Sequence, residues 1–218
     1  MRLSENTTNI LKNFSVINKS ILIRQGNVLS TMAIDKSILG VATIKESFPQ
    51  DVGIYDLPQF LAVLSLFKEP ELTFGENQVT ISNGPQKVLY TYAEPTMIKG
   101  SAPRTVEIDF PVNAAAFHVP STTLGTLIQG LSILGLTHIA MRGDGEHISL
   151  NTVSREDKTA SSYSVDVGTS DREFEVLFRG ETFKFLARDY EVTLCGSYAK
   201  FVSPDLTYYV VAEEGSRF

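Results

Sequence analysis

The sequence predicts an α+β chain built from two similar domains, each with antiparallel sheets and two helices on one side of them. Three observations carry that expectation. Short strand-like runs punctuated by turn residues outnumber helical stretches. One order of elements occurs twice, at an offset of roughly 120 residues, as a duplicated domain requires. Most neighbouring strands are joined by hairpin-length turns, which favours antiparallel sheets with helices segregated to one side.

The first helix is expected over Ser4–Val16, with Leu3, Ile10, Leu11, Phe14 and Ile17 at helical spacing and Ser4 as its N-cap. A strand at Ser20–Arg24, the turn Gln25-Gly26-Asn27 and a strand at Val28–Ile34 read as a hairpin. Strands at Ser37–Lys45 and Asp51–Tyr55 follow. Asp56 is placed to cap a second helix, with Gln59 three residues on completing a capping box and Pro58 tolerated in the first turn. Leu57, Phe60, Leu61, Leu64 and Phe67 form its apolar face, and strands at Glu71–Gly75, Gln78–Ser82 and Lys87–Ala93 close the half. Residues Glu94–Arg104 carry two prolines and a glycine without alternation and read as a linker. The expected domains are therefore 1–94 and 105–218, with a linker at 95–104.

The second half repeats the order. A strand at Thr105–Pro111 opens it. Ser121 is expected to cap a third helix with an apolar face of Leu124, Leu127, Ile128, Leu131 and Leu134. A hairpin runs through Gly143-Asp144-Gly145-Glu146, between Thr137–Arg142 and His147–Val153. Strands at Thr159–Val167 and Glu173–Arg179, a short fourth helix at Glu181–Ala187, and strands at Tyr190–Cys195, Ser197–Ser203 and Thr207–Glu213 complete it. Pro70-Glu71-Leu72-Thr73-Phe74 matches Tyr190-Glu191-Val192-Thr193-Leu194, and Tyr92-Ala93-Glu94 matches Val211-Ala212-Glu213.

Composition narrows the function. The chain has 218 residues, 43% hydrophobic and 20% charged, which excludes intrinsic disorder. No apolar run reaches the ~18 residues of a membrane-spanning helix, and the polar opening lacks the core of a signal peptide. The expectation is a soluble intracellular protein. A single cysteine, Cys195, excludes an internal disulfide and a cysteine-based zinc site. The net charge of −6 argues against binding nucleic acid by bulk charge alone.

Catalytic signatures are lacking. There is no G-x-S-x-G nucleophile elbow. Gly125 and Gly130 have the spacing of a phosphate loop, but Leu131 stands where the lysine belongs. His118, His138 and His147 fit no metal-ligand spacing, and Asp51 and Asp56 have no neighbouring acid–base partner. No cofactor, metal site or enzymatic activity is expected.

The basic residues say more. Lys12 lies on the polar side of the first helix, Lys19 and Lys68 follow the first and second helices, and Lys184 and Arg188 lie on or after the fourth. Acids in the helical stretches are confined to N-terminal positions, Glu5 and Glu181, which the helix dipole favours. The helix side is thus expected to be more positive than the whole chain. The bland reading is ordinary solvated helix faces.

Three segments resemble a known family. Leu3-Ser4-x-x-Thr7-Thr8-x-x-Leu11-Lys12-Asn13-Phe14-x-x-Ile17-Asn18 is similar to the start of the sliding clamps of T4-like bacteriophages. Ile54-Tyr55-Asp56-Leu57-x-x-Phe60-Leu61-x-x-Leu64-Ser65-Leu66 resembles their second-helix segment, and Tyr208-Tyr209-Val210-Val211-Ala212 resembles the last strand of clamps more widely. The resemblance implies a DNA polymerase processivity factor acting in the cytoplasm of the infected bacterial host. Clamp rings have six similar domains, so this two-domain chain would form a homotrimer.

On that resemblance, the helices line a hole around duplex DNA, with Lys12, Lys19, Lys68, Lys184 and Arg188 facing phosphates. Subunits join head to tail through edge strands carrying Val88, Tyr90 and Tyr92 on one side and Tyr163, Val165 and Val167 on the other. Met97 and Ile98 in the linker, with Tyr208 and Val210, receive the hydrophobic tail of a partner; packing onto the domain junction is the plainer reading of those linker residues. The implied partners are a replicative DNA polymerase and a clamp-loader ATPase. One departure stands out: the third helix has no Lys or Arg, and its outward face is Thr122, Gly125, Thr126, Gln129 and Ser132. The alternative is a non-enzymatic phage structural or assembly protein with a duplicated domain.

Overall fold

Local capping sets the helices of the first half. In the computed structural model, which describes residues 1–102, 109–111, 114–157 and 159–218, helix α1 spans Glu5–Ile17 and Ser4 caps it by accepting the Thr7 N–H. Its buried face, Thr7, Ile10, Leu11, Phe14 and Ile17, is the one the periodicity predicts. Helix α2, Leu57–Ser65, is capped by the Asp56 carboxylate, which accepts the Gln59 N–H at 2.9 Å.

The chain divides into two compact units, Met1–Val106 and Glu107–Phe218. In the first, β1 (Ile21–Ile23) pairs antiparallel with β4 (Val52–Ile54), and β2 (Gly26–Met32) pairs antiparallel with β3 (Ile38–Phe48). Strands β5 (Glu71–Phe74), β6 (Gln78–Asn83) and β7 (Gln86–Thr91) form a three-stranded antiparallel sheet in chain order. Helix α1 packs on α2 and β3, burying Ile10, Leu11, Phe14, Ile54, Leu57 and Ile81 to full or nearly full depth. Each such side chain contributes roughly 1.5–3 kcal/mol when fully buried.

The second unit contains β8 (Ala115–Val119) and α3 (Ser121–Ile133), then β9 (His138–Asp144), β10 (His147–Val153), β11 (Ser164–Thr169) and β12 (Glu173–Arg179). The last four form an antiparallel sheet in the order β11-β10-β9-β12. Strands β13 (Tyr190–Leu194), β14 (Tyr198–Ser203) and β15 (Leu206–Val211) follow, with β8 beside β13 and β14 between β13 and β15.

Four local expectations are corrected. The strands before and after Gln25-Gly26-Asn27 are not a hairpin, because each finds its ladder partner elsewhere; the Gln25 N–H donates to the Asp51 carboxylate at 2.7 Å where β4 begins. The fourth helix is absent: Gly180–Thr182 makes one 3-10 turn and residues 183–189 contain no helix. Phe183 and Phe185, two residues apart, both enter one aromatic cluster, a spacing that extended chain satisfies and helix does not. Gly180 lets the turn lie close against α3, since a Cβ there would be 2.1 Å from Leu131 Cδ2. Ser121 is not the cap of α3; Asp189 substitutes for it, accepting the Ser121 N–H at 2.8 Å. That bond leads the causes that hold the Asp189 carboxyl below its ordinary range.

The fourth correction concerns the linker. Residues Pro95–Met97 form a 3-10 turn, and Ile98 and Ala102 are buried. The Asn18 amide donates to the carbonyls of Met32 at 2.9 Å and Lys99 at 2.7 Å. Gly100 sits at φ +68, where a Cβ would meet both Asn18 Nδ2 and Met32 O at 2.7 Å. The segment up to residue 102 is therefore bonded to the first unit. Of the expected strand Thr105–Pro111, Thr105–Ile108 lie outside the described residues, as do linker residues Pro103 and Arg104, and 109–111 form no strand.

Candidate nucleic-acid interface and partner surfaces

The outward sides of the helices are nearly free of acid. Helix α1 exposes Glu5 in its first turn, then Asn9, Lys12 and Val16. Helix α2 exposes Pro58, Gln59, Ala62 and Ser65, and Lys68 follows. Lys12, Lys19 and Lys68 are exposed and make no ion pair among the described residues. Lysines without a salt bridge suit transient contacts to phosphate, because no ion pair has to be broken first.

The second unit differs. Helix α3 exposes Thr122, Thr126, Gln129 and Ser132 of its predicted outward face, with Gly125 half-buried, and also Ile133, which is 82% exposed. Lys184 is exposed but follows a 3-10 turn, not a helix. Arg188 is half-buried and forms an ion pair with Asp205, so much of its charge is already compensated. Glu181 pairs with Arg179 at 3.5 Å. The three lysines of the first unit are thus exposed without an ion pair among the described residues, whereas Arg188 is paired with Asp205.

Both strands expected at subunit junctions are open sheet edges. Among the described residues, β7 is bonded only to β6, and β11 only to β10. Val88 and Tyr90 of β7, and Val165 and Val167 of β11, are half-buried, with Tyr92 and Tyr163 beside them. The Tyr90 ring packs edge-on to Phe60 of α2 at 5.1 Å, and its hydroxyl donates to the Asp56 carbonyl. Burial, with the Asp56 charge adding to it, pushes the Tyr90 phenol up.

The expected partner surface changes most. Tyr208 and Val210 are 0% exposed and present nothing to a partner, and Ile98 is 6% exposed. Tyr208 instead stacks on Phe185 at 4.5 Å and accepts the Leu186 N–H; burial pushes its phenol up to about 12. Met97, 54% exposed, is the one expected contact that reaches solvent. It lines a groove of about 660 Å³ with Val16, Ile17, Ile34 and Tyr55, flanked by Lys19 and Lys99. Sequence reasoning missed Val16, Ile34 and Tyr55 because single apolar residues on a surface are ordinary; only the fold gathers them.

Two of the three histidines have separate local surroundings. His118 contacts the Glu191 carboxylate at 2.8 Å, and His138 is held below its usual range by burial and then by Arg155. No cluster of three or more His, Cys, Asp and Glu that could hold a metal occurs among the described residues. Nor is any described helix long and apolar enough to cross a membrane.

Known structures give the class. The chain matches a PCNA2–PCNA3 complex from Sulfolobus tokodaii with a TM-score of 0.71 at 16% identity, covering 98% of this chain and 99% of that one. It matches A. fulgidus PCNA, bound to the C-terminal region of FEN-1, with a TM-score of 0.73 at 11% identity over the whole of both chains. The Helicobacter pylori β clamp matches at 0.69 and 13% identity, over 100% of this chain and 66% of that one. The fold is that of the sliding clamps.

Sequence then narrows the class. Residues 4–99 match the family model described as DNA polymerase processivity factor. The sliding clamp of Vibrio phage KVP40 is 28% identical over 98% of this chain and 99% of its own, and that of Enterobacteria phage T4 is 28% identical over 99% and 98%. In sequence as in fold, the chain is similar to the phage sliding clamps and to the DNA polymerase processivity factors.

Proposed function

We propose that three copies of this clamp close into a ring around duplex DNA and hold the replicative polymerase at the primer end. The observation that carries this reading is the pair of open edges, β7 in one unit and β11 in the other, each with a half-buried apolar row. Two different edges on one chain suit head-to-tail assembly, which closes by rotation. Two clamp-type units per chain make three copies the number for a six-domain ring.

The mechanism is topological. A closed ring leaves DNA only at an end or by opening, so the polymerase bound to it stays at high effective concentration. Lys12, Lys19 and Lys68 face the phosphates through loose, sequence-independent contacts that permit sliding. A neutral α3 adds little attraction, so retention depends on closure. The hydrophobic tail of the polymerase docks in the groove of Val16, Ile34, Tyr55 and Met97. A clamp-loader ATPase opens the ring, and the site of action is the cytoplasm of the infected host.

Light scattering tests the assembly, and a primed-template assay tests the activity. The expected results are a mass of three chains and longer products from the cognate polymerase when clamp and loader are added. A stable monomer without effect on product length contradicts the proposal and favours a structural or assembly role.

A further inference from the structure

The two open edges also carry information about how copies align. We propose that β7 of one copy pairs antiparallel with β11 of the next in a single register, with Lys87 opposite Asp166 and Tyr90 opposite Tyr163. This rests on the ring reading above and adds the residues that select its junction.

Main-chain parity comes first. The Tyr92 N–H donates to the Asn77 carbonyl at 3.0 Å, and continuing the β6–β7 register makes Tyr90, Val88 and Gln86 the residues that bond inward. The outward groups on β7 are those of Lys87, Leu89 and Thr91. On the other edge the Thr152 N–H donates to the Tyr163 carbonyl at 2.9 Å, and the β10–β11 register makes Val165 the next inward residue. Ser164 and Asp166 point outward. A new antiparallel ladder bonds outward groups to outward groups, so only registers in steps of two are open.

The same parity matches the faces. Tyr90 lies on the α2 side of its sheet, against Phe60. Tyr163 lies on the α3 side of its own, where a Cβ built on Gly130 would be 3.3 Å from Tyr163 Cβ. Val88 and Tyr90 therefore meet Val165 and Tyr163 on the helix side, and Lys87 and Leu89 meet Asp166 and Ser164 on the other.

Charge selects among the remaining registers. Lys87 is the single formal charge on β7 and Asp166 the single one on β11. Both are exposed, their neighbours across the strand are Ser82 and Ser149, and neither makes an ion pair among the described residues. A slip of two residues sets each charge opposite a neutral side chain. Pairing either edge with its own kind gathers like charges on one face, which disfavours a two-fold dimer.

Sedimentation equilibrium at low salt on the full chain, Lys87→Glu, Asp166→Lys and the double exchange tests this. Replacing an opposite-charge cross-strand pair by a like-charge pair lowers association about fivefold per junction, or about a hundredfold over three. Each single variant should show that loss, and the double exchange should recover most of it. A double variant as weak as the singles, beside an unaltered chain that trimerises, overturns the register and leaves the ring intact. An unaltered chain that never exceeds monomer mass overturns both.

Discussion

Glu46 of β3 ties down the start of the helix that carries Lys12. Its carboxylate accepts the Ser4 N–H and the Thr7 hydroxyl, the latter at 2.6 Å, in the first turn of α1. That turn has unsatisfied N–H groups and the positive end of the helix dipole. Burial acts to raise the Glu46 pKa, but the hydrogen bonds from Thr7 and Ser4 together outweigh it, so the folded value lies below the ordinary one. A depressed carboxyl stabilises the fold above its unfolded pKa, and that contribution is lost as pH falls through the folded value. Hydrogen bonds to a charged group are worth ~1.5–3 kcal/mol each, and Glu46 is only half-buried, so Glu46→Ala should cost about 2 kcal/mol in total. For a chain of this size that is a fall in melting temperature of about 4–8 °C. Urea unfolding followed by circular dichroism should find the full difference at pH 7 and less than half of it at pH 3. A difference equal at both pH values, or under ~0.5 kcal/mol at pH 7, refutes the charge-assisted anchor.

Other expectations follow from the same structure. Lys12→Gln removes at most three phosphate contacts per ring, so a plot of log duplex affinity against log salt should flatten by up to ~3, and an unchanged slope removes Lys12 from the DNA face. Phe185→Ala should destabilise by about 3 kcal/mol in urea unfolding, since it empties the space among Phe201, Phe183 and Tyr208; a cost below ~1 kcal/mol contradicts the packing argument. Met97→Glu combined with Tyr55→Ala should weaken binding of a cognate polymerase tail peptide at least tenfold in fluorescence anisotropy, with trimer mass unchanged. Undiminished binding moves the docking site elsewhere.

What the sequence made legible was local. Ser4 and Asp56 announced their helices because an N-cap acts within three residues, and Gly145, at φ +92 beside Asp144, marked its hairpin for the same reason. The duplicated order was readable because turn residues recur in both halves. The errors arose where the partner lies far along the chain. β1 looked like half of a hairpin because β4, which it pairs with, is about 30 residues away and leaves no local trace. Asp189 caps α3 across 68 positions. Phe183, Leu186 and Ala187 have helical spacing, but an aromatic cluster assembled from β12, β14 and β15 holds the phenylalanines in extended chain. β8, with two alanines, has weak strand propensity and exists because β13 supplies its ladder. At the site, the lysines could be read from charge placement, whereas the burial of Ile98, Tyr208 and Val210 depends on which face of each segment the fold covers.

A ring that closes around duplex is held on DNA by topology. The most direct measurement of this is the lifetime of loaded clamp on nicked circular duplex, before and after one restriction cut, at moderate salt. Long retention is expected on the circle, with rapid loss once ends are made. Equal lifetimes on circular and linear DNA would contradict topological retention.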